Sequence, residues 1–393
     1  MRKRERLHKA VWFVAQPFTT LLLKKYDYKT TKAPKLDEPY LVVANHTTES
    51  DMLMVASAFR KHMYFVCGEH LFRTKHAKAM QYFIDPIPAP RGGAMSGAVI
   101  EMLRRLKNGN NVMIFPEGSR SFNGETIEVS ESIGMLIKRA KCALITYRTR
   151  GGYFIAPRWA YHFRKGHAEG AVVGVYTSEQ LAEMSPAEIT ALINTDLKEN
   201  AYETQAAHPY TYRAEGLAEG LENYLLLCPK CGSYDSMKTE GDRFTCTCCG
   251  LGGVYDEHGY LVGEDLPFRQ VNDWGRWIAE RFDEQMAEKT AGELLFTETE
   301  TRLYEINKDH STTDLDTGDV KIYKDKFVLG EREFAFEDIT AMSLLYYGKS
   351  VLFTHQRRYY GITGEHFHAW KIERLYGIHN KEKQKQTERT VES

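Results

Sequence analysis

Between Tyr40 and Tyr176 short apolar runs alternate with stretches of helical spacing, and this alternation constrains the fold more than any other feature of the chain. A strand that feeds a helix and is followed by another strand packs as a βαβ unit, so the segment predicts an α/β domain built on a mostly parallel sheet flanked by helices. Candidate strands cover 40–44, 63–67, 111–115, 143–147 and 171–176, and helices fit at 52–60, 70–82, 96–107 and 130–140. Asn108-Gly109 supplies a stop before the third strand, and Ser185-Pro186-Ala187-Glu188 is a capping box that starts a helix running past Leu197. At 393 residues the chain is long enough for more than one domain.

Two strings follow strand candidates and carry side chains suited to chemistry: Asn45-His46-Thr47-Thr48-Glu49-Ser50-Asp51 and Phe115-Pro116-Glu117-Gly118-Ser119-Arg120-Ser121. Both fall at the carboxyl ends of strands, where open α/β sheets bind ligands. In the first, His46 is a candidate general base, and Asp51, in the first turn of the next helix, is placed to fix its tautomer and stabilise the imidazolium. The second suits negative charge. Arg120 offers a planar fork for phosphate, Gly118 lets backbone N–H groups approach closely, and Glu117 is placed either to hold a cation or to order the loop. Arg91, leaving the proline-stiffened Ile87–Pro90 segment before a helix start, is a second phosphate candidate, and the backbone N–H groups near Arg91 to Gly93 are candidate oxyanion donors. The chain has no GxSxG elbow, and neither Cys67 nor Cys142 has a sequence-evident histidine partner, so direct attack by a substrate hydroxyl fits better than a covalent acyl-enzyme. Arg158-Trp159 reads either as acceptor recognition or as a cation–π packing pair. His62, His70 and His76 read as solvated.

The blocks Asn45, His46 and Asp51 (NHxxxxD) and Phe115 through Ser121 (FPEGxRS) together resemble those of the phospholipid and glycerol acyltransferases typified by 1-acylglycerol-3-phosphate acyltransferase. A looser block ending in arginine resembles Ile87 to Arg91. A fourth resembles Ala143 to Tyr147, with Thr146 where the family usually has proline. The resemblance spans roughly residues 10–176. It implies transfer of a fatty acyl group from a thioester, acyl-ACP or acyl-CoA, to the sn-2 hydroxyl of lysophosphatidic acid. By the same resemblance His46 and Asp51 are catalytic, while Arg91, Glu117, Gly118, Ser119 and Arg120 bind the acceptor phosphate. Glycerol 3-phosphate or another lysophospholipid is the alternative acceptor, and an idle lipid-binding scaffold the alternative class.

Residues 1–170 carry a net charge of +14 and the remainder −15, so the first half suits an anionic surface or substrate. The apolar run Ala10–Leu23 is too short and too interrupted by Gln16, Pro17, Thr19 and Thr20 to span a bilayer. Flanked by Arg2, Lys3, Arg4, Arg6, Lys9, Lys24 and Lys25, it reads as a helix lying on a membrane with Trp12, Phe13, Phe18 and Leu21–Leu23 in the interface; a helix packed on its own domain is the plainer reading. With no signal-peptide cleavage pattern, this predicts a peripheral protein at the cytoplasmic face of the cell membrane.

At Cys228 the pattern changes. Cys228-Pro229-Lys230-Cys231-Gly232 and Cys246-Thr247-Cys248-Cys249-Gly250 form two CxxCG knuckles, whose spacing lets Cys228, Cys231, Cys246 and Cys249 hold one structural zinc with Cys248 a spectator. The surroundings are not basic, which disfavours a nucleic-acid partner. A helical stretch around Trp274, Trp277 and Phe282 leads to eight short strand candidates between Leu294 and Ile362 and a closing helix over Glu365–Tyr376, an order resembling a small PH/GRAM-like barrel. The expected organisation is a membrane-associating helix (1–30), an acyltransferase domain (31–215), a zinc ribbon (220–262), a linker helix (263–290), the β-rich domain (291–380) and a disordered polar tail (381–393), the ribbon and barrel serving as docking modules.

Overall fold

The computed structural model describes residues 2–24, 27–90 and 95–392, which divide into two compact units. The described residues of the first unit are 2–24, 27–89, 95–222 and 228–273. Its main sheet is formed by β1 (Tyr28–Thr30), β2 (Tyr40–Ala44), β3 (Met63–Gly68), β4 (Ile87–Ala89), β5 (Asn111–Ile114), β6 (Ala143–Arg150) and β7 (Ala168–Tyr176), in the order β1-β7-β6-β2-β5-β3-β4. Every pair is parallel except β6–β7. β1 and β4, three residues each, escape a pattern reading because so short a run shows no period.

Alternation along the strands sorts their side chains onto two covered faces. Leu41, Val43, Val112, Ile114 and Leu144 pack with Met102 and Leu106 of one helix and with Ile133, Ile137, Ile189 and Ile193 of two later ones. Tyr40, Val42, Met113, Ile145 and Tyr147 pack with Val55, Ala58 and Phe59 on the opposite face. The helices are α1 (Arg2–Leu23), α2 (Asp51–Ala58), α3 (Ala77–Phe83), α4 (Ser96–Lys107), α5 (Ser132–Ala140), α6 (Gly152–Ile155), α7 (Ser178–Glu183), α8 (Pro186–Leu197) and α9 (Ala201–Ala207). The capping box expected at Ser185 is formed, with Glu188 N donating to Ser185 Oγ and Ser185 N to Glu188 Oε2.

Helix α1 has one packed and one exposed face. One face docks: Trp12 stacks on Phe65, Gln16 donates to the carbonyls of Ala56 and Phe59, and Leu23 is buried. Trp12 and Leu23, expected at a membrane interface, are therefore taken by the domain, whereas Phe13, Val14, Phe18, Leu21 and Leu22 are exposed. His62 is not solvated as expected. It lies against Trp12, His8 and Tyr64, and burial pushes its imidazole down to about 4.

The cysteine knuckles open a four-stranded antiparallel sheet of β8 (Met237–Glu240), β9 (Arg243–Cys246), β10 (Gly252–Tyr255) and β11 (Leu261–Val262), in the order β11-β10-β9-β8. This ribbon belongs to the same compact unit as the α/β sheet.

Helix α10 (Val271–Ala287) follows in sequence, and the described residues of the second unit are 90, 223–227 and 274–392. Its antiparallel sheet has β12 (Leu294–Ile306), β13 (Thr312–Tyr323), β14 (Lys326–Leu329), β15 (Arg332–Ala335), β16 (Ile339–Leu345), β17 (Ser350–His355) and β18 (Arg358–Gly364), ordered β15-β14-β13-β12-β18-β17-β16. The two strands expected at 294–296 and 302–306 are one, with register shifts between Leu294 and Phe296, between Glu298 and Thr301, and between Leu303 and Tyr304. Helix α11 (Trp370–Glu392) closes the unit; its Lys371 forms a buried 2.6 Å ion pair with Glu298. Residues 381–392, expected to be a disordered tail, continue α11, since no proline or glycine follows Gly377 and Lys, Glu and Gln are good helix formers.

Candidate active site

Adjacent parallel strands β2 and β5 run in register, Val43 opposite Ile114, so the strings that leave their carboxyl ends emerge side by side. The first is pinned by Asn45. Its amide donates to Thr149 O at 2.8 Å and accepts from Thr149 N at 2.7 Å, clamping the end of β2 to β6. Sequence reasoning gave Asn45 no separate role; a polar residue at the end of an all-apolar strand is the signal that would have found it.

His46 Nδ1 lies 2.9 Å from Asp51 Oδ2. The Asp51 carboxylate is fully buried at the first residue of α2 and also accepts from Thr47 N, from Thr48 N at 2.9 Å and from Thr47 Oγ1 at 3.0 Å. With Asp51 as the acceptor, Nδ1 carries the imidazole proton and the lone pair lies on Nε2. The ring is stacked on Phe115, with centroids 4.1 Å apart and planes within 10°, which fixes its remaining rotation. The two side chains are thus brought together, as the five-residue spacing predicted.

The second string wraps the first. Glu117 Oε1 accepts His46 N–H at 2.7 Å, Oε2 accepts Ile127 N–H at 2.9 Å, and Ser121 N donates to His46 O at 3.1 Å. Of the two roles open to Glu117, ordering the loop is the one its contacts serve: both carboxylate oxygens are taken by backbone N–H groups, so it does not face a phosphate. Burial pushes its carboxyl up to about 8, opposed by the two N–H donors and reinforced by the Asp51 charge. Gly118 turns the chain at φ +69° with open space where a side chain would begin. Arg120 Nη2 donates to Glu49 Oε1 at 2.9 Å, joining the two strings by a second bridge. The Ser119 hydroxyl accepts from Arg158, a buried guanidinium that also donates to Arg120 O at 3.1 Å and lies over Phe122 at 4.0 Å. The cation–π partner of Arg158 is therefore Phe122, and Trp159 is faced by Arg164 at 5.0 Å. Arg91 and Gly92-Gly93 lie outside the described residues. Thr146, in the fourth block, donates to Asp196 Oδ2 at 2.6 Å, a bond that proline cannot make.

In the ribbon, the Sγ atoms of Cys228, Cys231, Cys246 and Cys249 lie within 4.8 Å of one another. The Cys228–Cys249 and Cys231–Cys246 separations are 3.6 and 3.7 Å. Tetrahedral zinc with Zn–S bonds of about 2.3 Å needs S···S edges of about 3.8 Å, so the donor set fits that ion. Gly232 and Gly250 take φ +71° and +73°, and their N–H groups bond back to Cys228 O and Cys246 O. Cys248 is exposed and outside the group.

A half-buried histidine bonded to a buried aspartate thus sits at the carboxyl ends of parallel strands, beside a glycine turn and an arginine. Residues 25–150 match the family model described as Acyltransferase. Among solved structures it is similar to the 1-acyl-sn-glycerophosphate (LPA) acyltransferase PlsC from Thermotoga maritima, at 19% identity and a TM-score of 0.44, over 52% of this chain and 84% of that one. No curated protein matches the chain.

Proposed function

We propose that the protein transfers a fatty acyl group from acyl-ACP or acyl-CoA to the sn-2 hydroxyl of lysophosphatidic acid, giving phosphatidic acid for phospholipid synthesis. The observation that carries this reading is His46 held between Asp51 and Phe115 with its backbone tied to Glu117, next to Arg120. His46 Nε2 accepts the proton of the acceptor hydroxyl as its oxygen attacks the thioester carbonyl, and Asp51 stabilises the imidazolium that forms. Collapse of the tetrahedral species expels the thiolate, which takes up that proton. Arg120, released from the exposed Glu49 carboxylate, supplies the fork for the acceptor phosphate. Gly118 and Ser119, in the same loop, complete the phosphate site in this reading, with Arg91 as the second clamp.

The reaction takes place at the cytoplasmic face of the cell membrane. No described helix is long and apolar enough to cross a membrane. Instead Phe13, Val14, Phe18, Leu21 and Leu22 of α1 form an exposed apolar face with Arg4, Arg6, Lys9 and Lys24 exposed nearby, the arrangement of an interfacial helix on anionic lipid. The four thiolates hold one structural zinc with no open coordination position. The second unit, a seven-stranded antiparallel sheet closed by a C-terminal helix, serves as a PH/GRAM-like docking module.

An acceptor panel of lysophosphatidic acid, glycerol 3-phosphate and lysophosphatidylcholine, run beside Arg120→Ala, tests the assignment. The reading expects lysophosphatidic acid to be used best and its KM to rise in the variant. Preference for a different acceptor would replace lysophosphatidic acid while leaving the His46 chemistry standing.

A further inference from the structure

The mechanism leaves the ribbon without a part to play, yet its contacts lead to the acceptor loop. Arg158 is 5% exposed and holds two consecutive loop residues, through Ser119 Oγ and Arg120 O. A buried guanidinium stays in place only if its own backbone is fixed. Arg158 sits in a turn closed by Ala160 N to Pro157 O at 3.0 Å, and the whole excursion is closed by Arg164 N to Ile155 O at 2.8 Å.

The ribbon grips this excursion at several points. Trp159, fully buried, meets Tyr255 of β10 edge-on at 5.3 Å. Arg164 donates to Tyr255 Oη at 3.2 Å and to Leu217 O at 2.6 Å. Leu217 N in turn donates to Asp242 Oδ1 at 2.7 Å, and Ala218 N to Gly241 O at 3.1 Å, in the turn between β8 and β9. Tyr161 Oη donates to Glu222, which also accepts from Thr239 of β8. Strand β9 ends at Cys246, so the hairpin that braces the excursion is pinned at its far end by the cysteine cluster.

We propose that Arg158 is a positioning residue for the Pro116–Ser121 loop and that the cysteine ribbon buttresses Arg158, making acceptor binding depend on an intact ribbon. The acceptor part of this inference rests on the function proposed above; the mechanical part does not.

Hydrogen exchange of the full chain, read on peptides covering 116–124, tests it together with acceptor KM and kcat. In Arg158→Met the loop peptides should exchange at least ~10-fold faster, since two hydrogen bonds from a charged donor are removed. Acceptor KM should rise ~10-fold or more with a smaller change in kcat, and Arg158→Lys should restore part of both. Cys231→Ser, with zinc content measured, should loosen the same loop peptides. Tyr255→Phe, which removes one bond and preserves the fold, should do so by about threefold. Unchanged loop exchange and KM in Arg158→Met would overturn the positioning role. Loosening confined to residues 228–262 in Cys231→Ser, with Tyr255→Phe silent at the loop, would overturn the buttress. If wild-type protein used no phosphorylated acceptor, the proposed function would fail while the exchange comparison still decided this inference.

Discussion

Replacing Asp51 by asparagine removes one charge from the site while leaving its hydrogen bonds nearly intact. Asp51 Oδ2 receives His46 Nδ1, Thr47 N and Thr48 N, and Oδ1 receives Thr47 Oγ1. An asparagine whose oxygen takes the Oδ2 position keeps the first three, and its NH₂ can donate to the Thr47 hydroxyl, which accepts as readily as it donates. The flipped amide would set NH₂ against two backbone N–H groups and is disfavoured. The imidazole tautomer is therefore preserved, and what disappears is the attraction between carboxylate and imidazolium. For charges about 4 Å apart at an effective dielectric of about 20 this is ~4 kcal/mol, or roughly a 10³-fold loss of kcat, as an upper figure. Acyl-transfer kinetics with a thermal melt of the same preparation measure it. An Asp51→Asn enzyme with an unchanged melt and kcat within about tenfold of wild type would refute the assignment of Asp51 as the partner of a catalytic base.

Glu117 gives a pH signature. Its carboxyl titrates near 4.5 when unfolded and near 8 in the fold, so the folded state binds the extra proton between these values, and the stability linked to this group is complete below about 4.5 and declines as pH rises through about 8. Melting wild type beside Glu117→Gln from pH 4.5 to 9 should show wild type losing ground to the variant as pH rises; parallel curves would contradict it. Metal analysis should find one zinc per chain in wild type and in Cys248→Ser and none in Cys249→Ser, whereas loss in Cys248→Ser would mean a different ligand set. Phe13→Ser and Phe18→Ser, at positions 80% and 68% exposed, should each weaken partitioning onto anionic vesicles by about tenfold or more without lowering the melt, because burying a phenyl ring is worth ~1.5–3 kcal/mol. Unchanged sedimentation with vesicles would remove α1 as the membrane contact.

The sheet and the His46–Asp51 pair were legible because their signals are local. β2 and the Val112–Phe115 run of β5 and its exit are uninterrupted apolar stretches, and a carboxylate five residues beyond a histidine, at a helix start, reaches back to it with little freedom. What could not be read depends on residues distant in sequence. Asn45 is a clamp because β6 lies beside β2, 104 residues on. Glu117 serves the His46 backbone and Ile127, a choice that spacing alone left open. Arg158 belongs to the loop 38 or 39 residues before it only through the turn that carries it there. Polarity hid structure elsewhere: the first half of β13, Thr312-Thr313-Asp314-Leu315-Asp316, has no apolar face and is held by its ladder to β12, and the polar residues 381–392 extend α11 by propensity.

The central claim is that this site acylates a lysophospholipid with His46 as the base. Purified protein given lysophosphatidic acid and an acyl thioester, acyl-CoA and acyl-ACP tested separately beside His46→Ala, measures it most directly. The account predicts phosphatidic acid from wild type with at least one donor and a loss of at least ~10²-fold in His46→Ala with the fold intact. Equal product from both proteins would contradict it.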